Sequence, residues 1–226
     1  GVLASAVPII ILPYYCVIGG WVVKYAWAFV TGSGSAAATD EYFGEFISQT
    51  GEPILWLGIF ILATMVVILL GVNKGIENIS KVLMPLLVIL SVVIAVFVVT
   101  RPGAGAGIAY YLKPDLSKIS ANAFLAALGQ LFYSMSLAMG IMITYGSYMK
   151  KDNHLEQSVR QIEIFDTGIA FLAGLMIIPA VFTFSGGDKS ALSAGPGLMF
   201  MTLPKVFASM KFGGVIGAIF FLLVLF

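Results

Sequence analysis

The sequence predicts an all-α, polytopic transmembrane helix bundle, on three observations. Of 226 residues, 60% are hydrophobic and 10% charged, with a mean hydropathy of +1.03; a soluble domain carries roughly 25% charged residues. Residues 53–73, 82–100, 119–149 and 167–187 contain no Asp, Glu, Lys or Arg. A hydrocarbon core of about 30 Å takes roughly 20 helical residues, and a charge at its centre costs at least about 2.5 kcal/mol. Each uncharged run therefore reads as a spanning helix or something longer.

Six helices follow, at about 3–30, 53–72, 81–100, 121–149, 160–184 and 212–226, within one transmembrane domain over 1–226. The first is apolar from its start, with Lys24 near its far end. The last has 15 residues, about 22 Å of helix, and ends on Leu-Val-Leu-Phe without a polar flank. Together with the opening at Gly1 rather than Met, this gives the expectation of a chain truncated at both ends. No charged-then-apolar leader of the cleavable kind is visible.

The connections alternate in length. Residues 31–52, 101–120 and 185–211 are long and punctuated by Gly or Pro, whereas 72–80 and 150–160 are short and polar. Weighting the short loops for positive charge places Lys74, Lys81, Lys150, Lys151 and Arg160 on the cytoplasmic side, a weak bias against six Lys and Arg on the other face. The formal net charge of +1, without a basic cluster, gives no reason to expect nucleic acid as a partner; the expected surroundings are lipid. Cys16 is the only cysteine, so no internal disulfide, zinc site or thiol-redox pair is available.

The fourth segment carries the most information. Its 31 uncharged residues would form about 46 Å of continuous helix, well beyond the hydrocarbon thickness. Its middle reads Gly129-Gln130-Leu131-Phe132-Tyr133-Ser134-Met135-Ser136-Leu137-Ala138-Met139-Gly140. Ser134 and Ser136 would diverge by about 200° on a regular helix. Polar and small residues at this depth suit a helix broken near 133–140, whose freed backbone groups line a polar site. Close helix packing through small residues is the other reading, and both stand on this segment alone. Asp166 is an ionisable residue inside the apolar run IEIFDTGIAFLAGLMIIP, a functional candidate by default. Its plainer alternative is a solvated or capping charge at a helix end. The single histidine, His154, lies in a charged loop, and no constellation supports catalysis, so an enzyme is not expected.

Four separated motifs are similar to those of the neurotransmitter:sodium symporter family, the bacterial LeuT-type amino-acid transporters. GQLFYSMSLAMGIMITYGSYMKKD at 129–152 resembles that family's sixth helix, and LPYYCVIGGW at 12–21 its third. GVNKGIENISKVLMP at 71–85 resembles the entry to helix five, and PGLMFMTLPKVF at 196–207 the outer loop before helix eight. The resemblance implies a LeuT-type inverted-repeat fold, of which this chain would hold helices three to seven and the start of eight. The last three helices of one repeat and the first three of the next share no visible internal repetition.

The resemblance also implies roles. Tyr15 matches a tyrosine whose hydroxyl helps hold the substrate carboxylate, and Ile11 a pocket-lining aliphatic position. Tyr133 falls where the family has an aromatic lid, Ser136 at a substrate contact and Met139 at a pocket wall; core packing is the alternative for the apolar members. Ser134 and Asp166 match ligands of the first sodium, hard oxygen donors for a hard cation. Gln130 matches a residue near the chloride site of chloride-dependent relatives. The position one turn after Asp166 is Ala170, so Asp166 itself would supply the balancing negative charge, and chloride is not expected. Tyr145 and Tyr148 match aromatics bracing the cytoplasmic gate, and equally suit an interfacial belt.

The function expected is sodium-coupled symport of a neutral, hydrophobic or aromatic amino acid by alternating access. The setting is a bacterial inner (plasma) membrane, with sodium as coupling ion and no cofactor. Two other readings are a LeuT-fold carrier of amino acids or amines that is not driven by sodium, and a membrane sensor without transport.

Overall fold

The computed structural model describes residues 1–69, 76–137, 139–149, 154–187, 191–192 and 195–225. Ten α-helices and two short 3-10 turns are found among them, without a strand. The helices are α1 (Val2–Val30), α2 (Asp40–Ser48), α3 (Gly51–Leu69), α4 (Ile76–Val99), α5 (Ala104–Leu112), α6 (Ala121–Ser134), α7 (Ile141–Tyr148), α8 (Leu155–Phe184), α9 (Gly197–Ala208) and α10 (Gly213–Leu225). By length and composition, Val2–Val30, Gly51–Leu69, Ser80–Val99 and Leu155–Phe184 can each cross a membrane.

Three stretches read as loops contain helices: α2 in 31–52, α5 in 101–120 and α9 in 185–211. At 9 to 12 residues they are too short to span, so a search for long uncharged runs passes over them. Their apolar side chains pack laterally instead. The fifth predicted helix begins five residues earlier than 160, at Leu155, because a charged first turn is no obstacle outside hydrocarbon. Predicted boundaries at 70–72 and at 226, Lys74, Lys150, Lys151 and Asp152 lie outside the described residues.

The chain divides into two compact units. The first comprises Gly1–Pro13 and Lys113–Leu172, so it holds the start of α1, all of α6 and α7, and the first half of α8. Neither α6 nor α7 buries a side chain. Ser120 caps α6, its hydroxyl accepting from the Ala123 N–H at 3.1 Å.

The second unit comprises Tyr14–Leu112 and Ala173–Phe226, and its centre is aromatic. Tyr25, Phe200, Phe207 and Phe221 are fully buried. Phe200 stacks near-parallel on Phe43 at 5.8 Å and on Phe221 at 6.2 Å, while Phe29 meets Phe207 edge-on at 5.6 Å. Offset and edge-on pairs are the arrangements ring quadrupoles favour. They lock α1, α2, α9 and α10 by dispersion contact, the main packing force available where the surroundings are also apolar. Gly107 brings α5 onto α8: a Cβ there would lie 2.6 Å from Pro179 Cα.

Two charges are used inside this unit. Lys24 of α1 pairs with Glu52 in the first turn of α3, and the Trp56 indole N–H donates to the same Glu52 oxygen at 3.3 Å. The Lys24 ammonium also lies 5.5 Å from the Tyr42 ring centroid and 5.8 Å from that of Phe46. A cation inside an apolar helix is thus matched by a carboxylate and by aromatic faces.

Candidate functional site

The fourth predicted segment is broken between α6 and α7. α6 ends at Ser134, and the Leu137 N–H donates back to Phe132 O (2.9 Å) while the Ser136 N–H donates to Tyr133 O (3.2 Å). This pair of bonds is the Schellman ending of a helix, which demands a left-handed residue next to the cap. That residue is Ser136, at φ 54°, where glycine is the usual choice because a Cβ makes the conformation costly. α7 starts from Gly140, also left-handed at φ 74°, with no side chain to cap the new helix. The break therefore brings a carbonyl-rich helix end and an amide-rich helix start within six residues of each other. A Cβ on Gly140 would lie 3.8 Å from the Ala4 carbonyl, so the start of α1 borders the break.

Asp166 lies on α8 eleven residues beyond its start at Leu155, away from the helix end. The Ser134 hydroxyl donates to both of its carboxylate oxygens, at 2.8 and 2.9 Å to Oδ1 and Oδ2. A hydroxyl has one proton and two lone pairs. With its proton turned to the carboxylate, the lone pairs of Ser134 are left to face a cation. A hydroxyl, a carboxylate and carbonyls at a helix end form a set of hard oxygen donors, and this chemistry suits a hard monovalent or divalent cation. Among the described residues there is no group of three or more His, Cys, Asp or Glu, as a transition-metal centre would need.

The other candidates fall in both units. Tyr133, Ser136 and Met139 belong to the break and are partly buried, while Gln130 lies exposed one turn before Ser134. Ile11 falls in the same unit, in α1. Tyr15 belongs to the second unit, about half exposed, with its ring edge-on to Tyr14 at 6.1 Å. Tyr145 and Tyr148 occupy α7 and are 63% and 80% exposed, as either a gate or an interfacial belt would leave them in the isolated chain. The structure joins Ser134 to Asp166 directly. Sequence reasoning missed Ser136 as a backbone-strained residue, and it missed the pairing of Lys24 with Glu52. The second had a partial signal: a single cation, Lys24, in the helix before an acidic connection, 31–52, that holds Asp40, Glu41, Glu45 and Glu52.

The sodium:neurotransmitter symporter family model matches residues 41–226. The chain belongs to this family. An uncharacterized sodium-dependent transporter of Haemophilus influenzae is 38% identical over 95% of this chain and 48% of its own length. The sodium-dependent transporter YhdH of Bacillus subtilis is 34% identical over 94% of this chain and 47% of its own. The human sodium- and chloride-dependent creatine transporter 1 is 30% identical over 73% of this chain and 27% of its own. Among solved structures, MhsT in complex with L-phenylalanine is 39% identical, covers all of this chain and 51% of MhsT, and gives a TM-score of 0.90. The LeuT-type fold is thereby shown, and this symporter family consists of multi-pass membrane transporters rather than enzymes. The chain spans about half the length of the curated relatives it matches.

Proposed function

We propose that the full-length protein is a sodium-coupled symporter of a neutral, hydrophobic or aromatic amino acid, working by alternating access across the plasma membrane. The observation that carries this reading is the Ser134–Asp166 bridge at the break between α6 and α7. Sodium would bind between the Ser134 hydroxyl, the Asp166 carboxylate and helix-end carbonyls. By the family resemblance, the substrate carboxylate would be held by unwound backbone, the sodium and Tyr15, with Ile11, Tyr133 and Met139 as pocket residues for its side chain and Ser136 as a further contact. These walls carry no fixed charge, so an unpaired charged side chain would be costly to bury. The relative solved with L-phenylalanine supports an apolar side chain. Tyr145 and Tyr148 would brace the cytoplasmic side of the pathway.

Transport is proposed to be independent of chloride. A sodium ion in a low-dielectric site needs a nearby negative charge, and Asp166 supplies a fixed one against Ser134, one helical turn from Gln130 in sequence, where an anion would be repelled. The similar creatine transporter is named for its chloride dependence, so the two sources of charge are a point of real divergence to measure. The test is radiolabelled amino-acid uptake into vesicles holding the full-length protein, under sodium, choline, chloride and gluconate. Uptake that needs sodium and persists in gluconate is the expected result. Equal uptake in choline overturns sodium coupling; loss in gluconate with recovery in chloride overturns the role of Asp166 as charge balance.

A further inference from the structure

A polar-and-apolar concavity lies wholly in the second unit, far in sequence from the α6–α7 break. It offers about 320 Å³, open on one side, and its lining includes Asp40, Val181, Phe184, Leu198, Met201 and Lys205. Three helices supply most of it, and Ser185 and Ala191 of the stretch after α8 complete it. Leu198, Met201 and Lys205 recur at helical spacing along one face of α9, Val181 and Phe184 form the last turn of α8, and Asp40 opens α2. Thr202, on the same face of α9, adds a hydroxyl and is buried. The Lys205 ammonium pairs with the Asp40 carboxylate. The Asp40 side chain is 76% exposed and that of Lys205 22%, so the pair sits at the mouth with solvent at its open side. An ion pair exposed in this way is weakly held, and either partner can be taken over by a ligand charge.

The geometry points to a peripheral site for one free amino acid with an apolar side chain. The ligand ammonium would pair with Asp40 and its carboxylate with Lys205, exchanging one intramolecular pair for two charge-assisted contacts. Its side chain would fill the space between Val181, Phe184, Leu198 and Met201. The volume lies at the lower end of the range for small-ligand pockets, which fits a single amino acid. A ligand carrying only one of the two charges would leave Asp40 or Lys205 facing an apolar neighbour and should bind poorly. This site does not depend on Ser134, Asp166 or sodium.

The test uses purified full-length protein in detergent and sodium-free buffer, with Met201→Cys introduced into a Cys16→Ser background. The rate of maleimide modification at position 201 is measured against increasing L-phenylalanine. Saturable protection of about threefold or more is expected, absent with L-phenylalaninamide and with N-acetyl-L-phenylalanine, which each lack one charge. Lys205→Gln and Asp40→Asn should each shift the protection curve by about tenfold or more, and Asp166→Ala should leave it in place. No protection by L-phenylalanine, equal protection by either blocked analogue, indifference to both mouth substitutions, or loss of protection in Asp166→Ala would each overturn the proposal. Because the analogues probe the unaltered mouth residues, the result stands even where a substitution impairs folding.

Discussion

Every buried apolar side chain among the described residues lies in the second unit, whereas the hydroxyl–carboxylate bridge of the candidate ion site lies in the first. The same backbone device appears in both. α8 ends with the Gly187 N–H donating to Phe182 O at 3.0 Å and with Gly186 left-handed at φ 67°; α6 ends in the corresponding way on Ser136. In the second unit the device simply stops a helix, and glycine makes it cheap. In the first it interrupts an apolar segment at mid-course and keeps a side chain that disfavors it. The contrast separates scaffold from site: one region is held by interlocked rings, the other by backbone turns and a polar bridge.

The sharpest way to break this contrast is at the bridge. Asp166→Ala in the full-length protein should lower sodium-dependent uptake by about tenfold to a hundredfold, the loss of one charge-assisted contact worth about 1.5–3 kcal/mol. Unaltered uptake at limiting sodium would refute its place in the site. Ser134→Ala removes one neutral oxygen donor. It should raise the sodium concentration for half-maximal uptake by about two- to tenfold, in line with a hydrogen bond worth about 0.5–1.5 kcal/mol, with expression unchanged.

The two helix ends can then be exchanged. Gly186→Ala should destabilise the protein by about 1–2 kcal/mol, the cost of a Cβ in the left-handed region. Ser136→Gly should relieve a comparable strain and raise the melting temperature. If Ser136 contacts substrate, the glycine variant will gain stability while losing affinity, so melting curves and uptake should move in opposite directions. Parallel changes would mean that the serine serves only the turn.

The smallest effect is expected in the aromatic core. Among the described residues the Tyr25 hydroxyl is buried without a hydrogen-bond partner, with Tyr42, Phe200 and Phe221 at ring separations of 5.6, 5.1 and 5.3 Å. An unpaired buried hydroxyl costs about 1 kcal/mol or more, so Tyr25→Phe should be neutral or slightly stabilising by thermal melting. A clear loss of stability would show that the hydroxyl is satisfied in the working protein.

Charge spacing and hydropathy determined the fold class from the sequence alone, because a carboxylate or ammonium is too costly in hydrocarbon to be scattered at random. The family was legible in four ordered motifs, and Asp166 in its isolation within an apolar run. The short lateral helices α2, α5 and α9 were not legible as helices. Their length falls below any spanning threshold, and their partners are tens to more than a hundred residues away in sequence. Tertiary structure alone decided that Lys24 meets Glu52, that Lys205 meets Asp40, and that Ser134 turns its proton to both oxygens of Asp166. Each of these is a meeting of side chains across helices, and sequence spacing constrains only the face a residue takes on its own helix. The left-handed Ser136 belongs with them: residue type argued for glycine there, and only the helix-end hydrogen bonds showed that the backbone takes the turn with a serine in place.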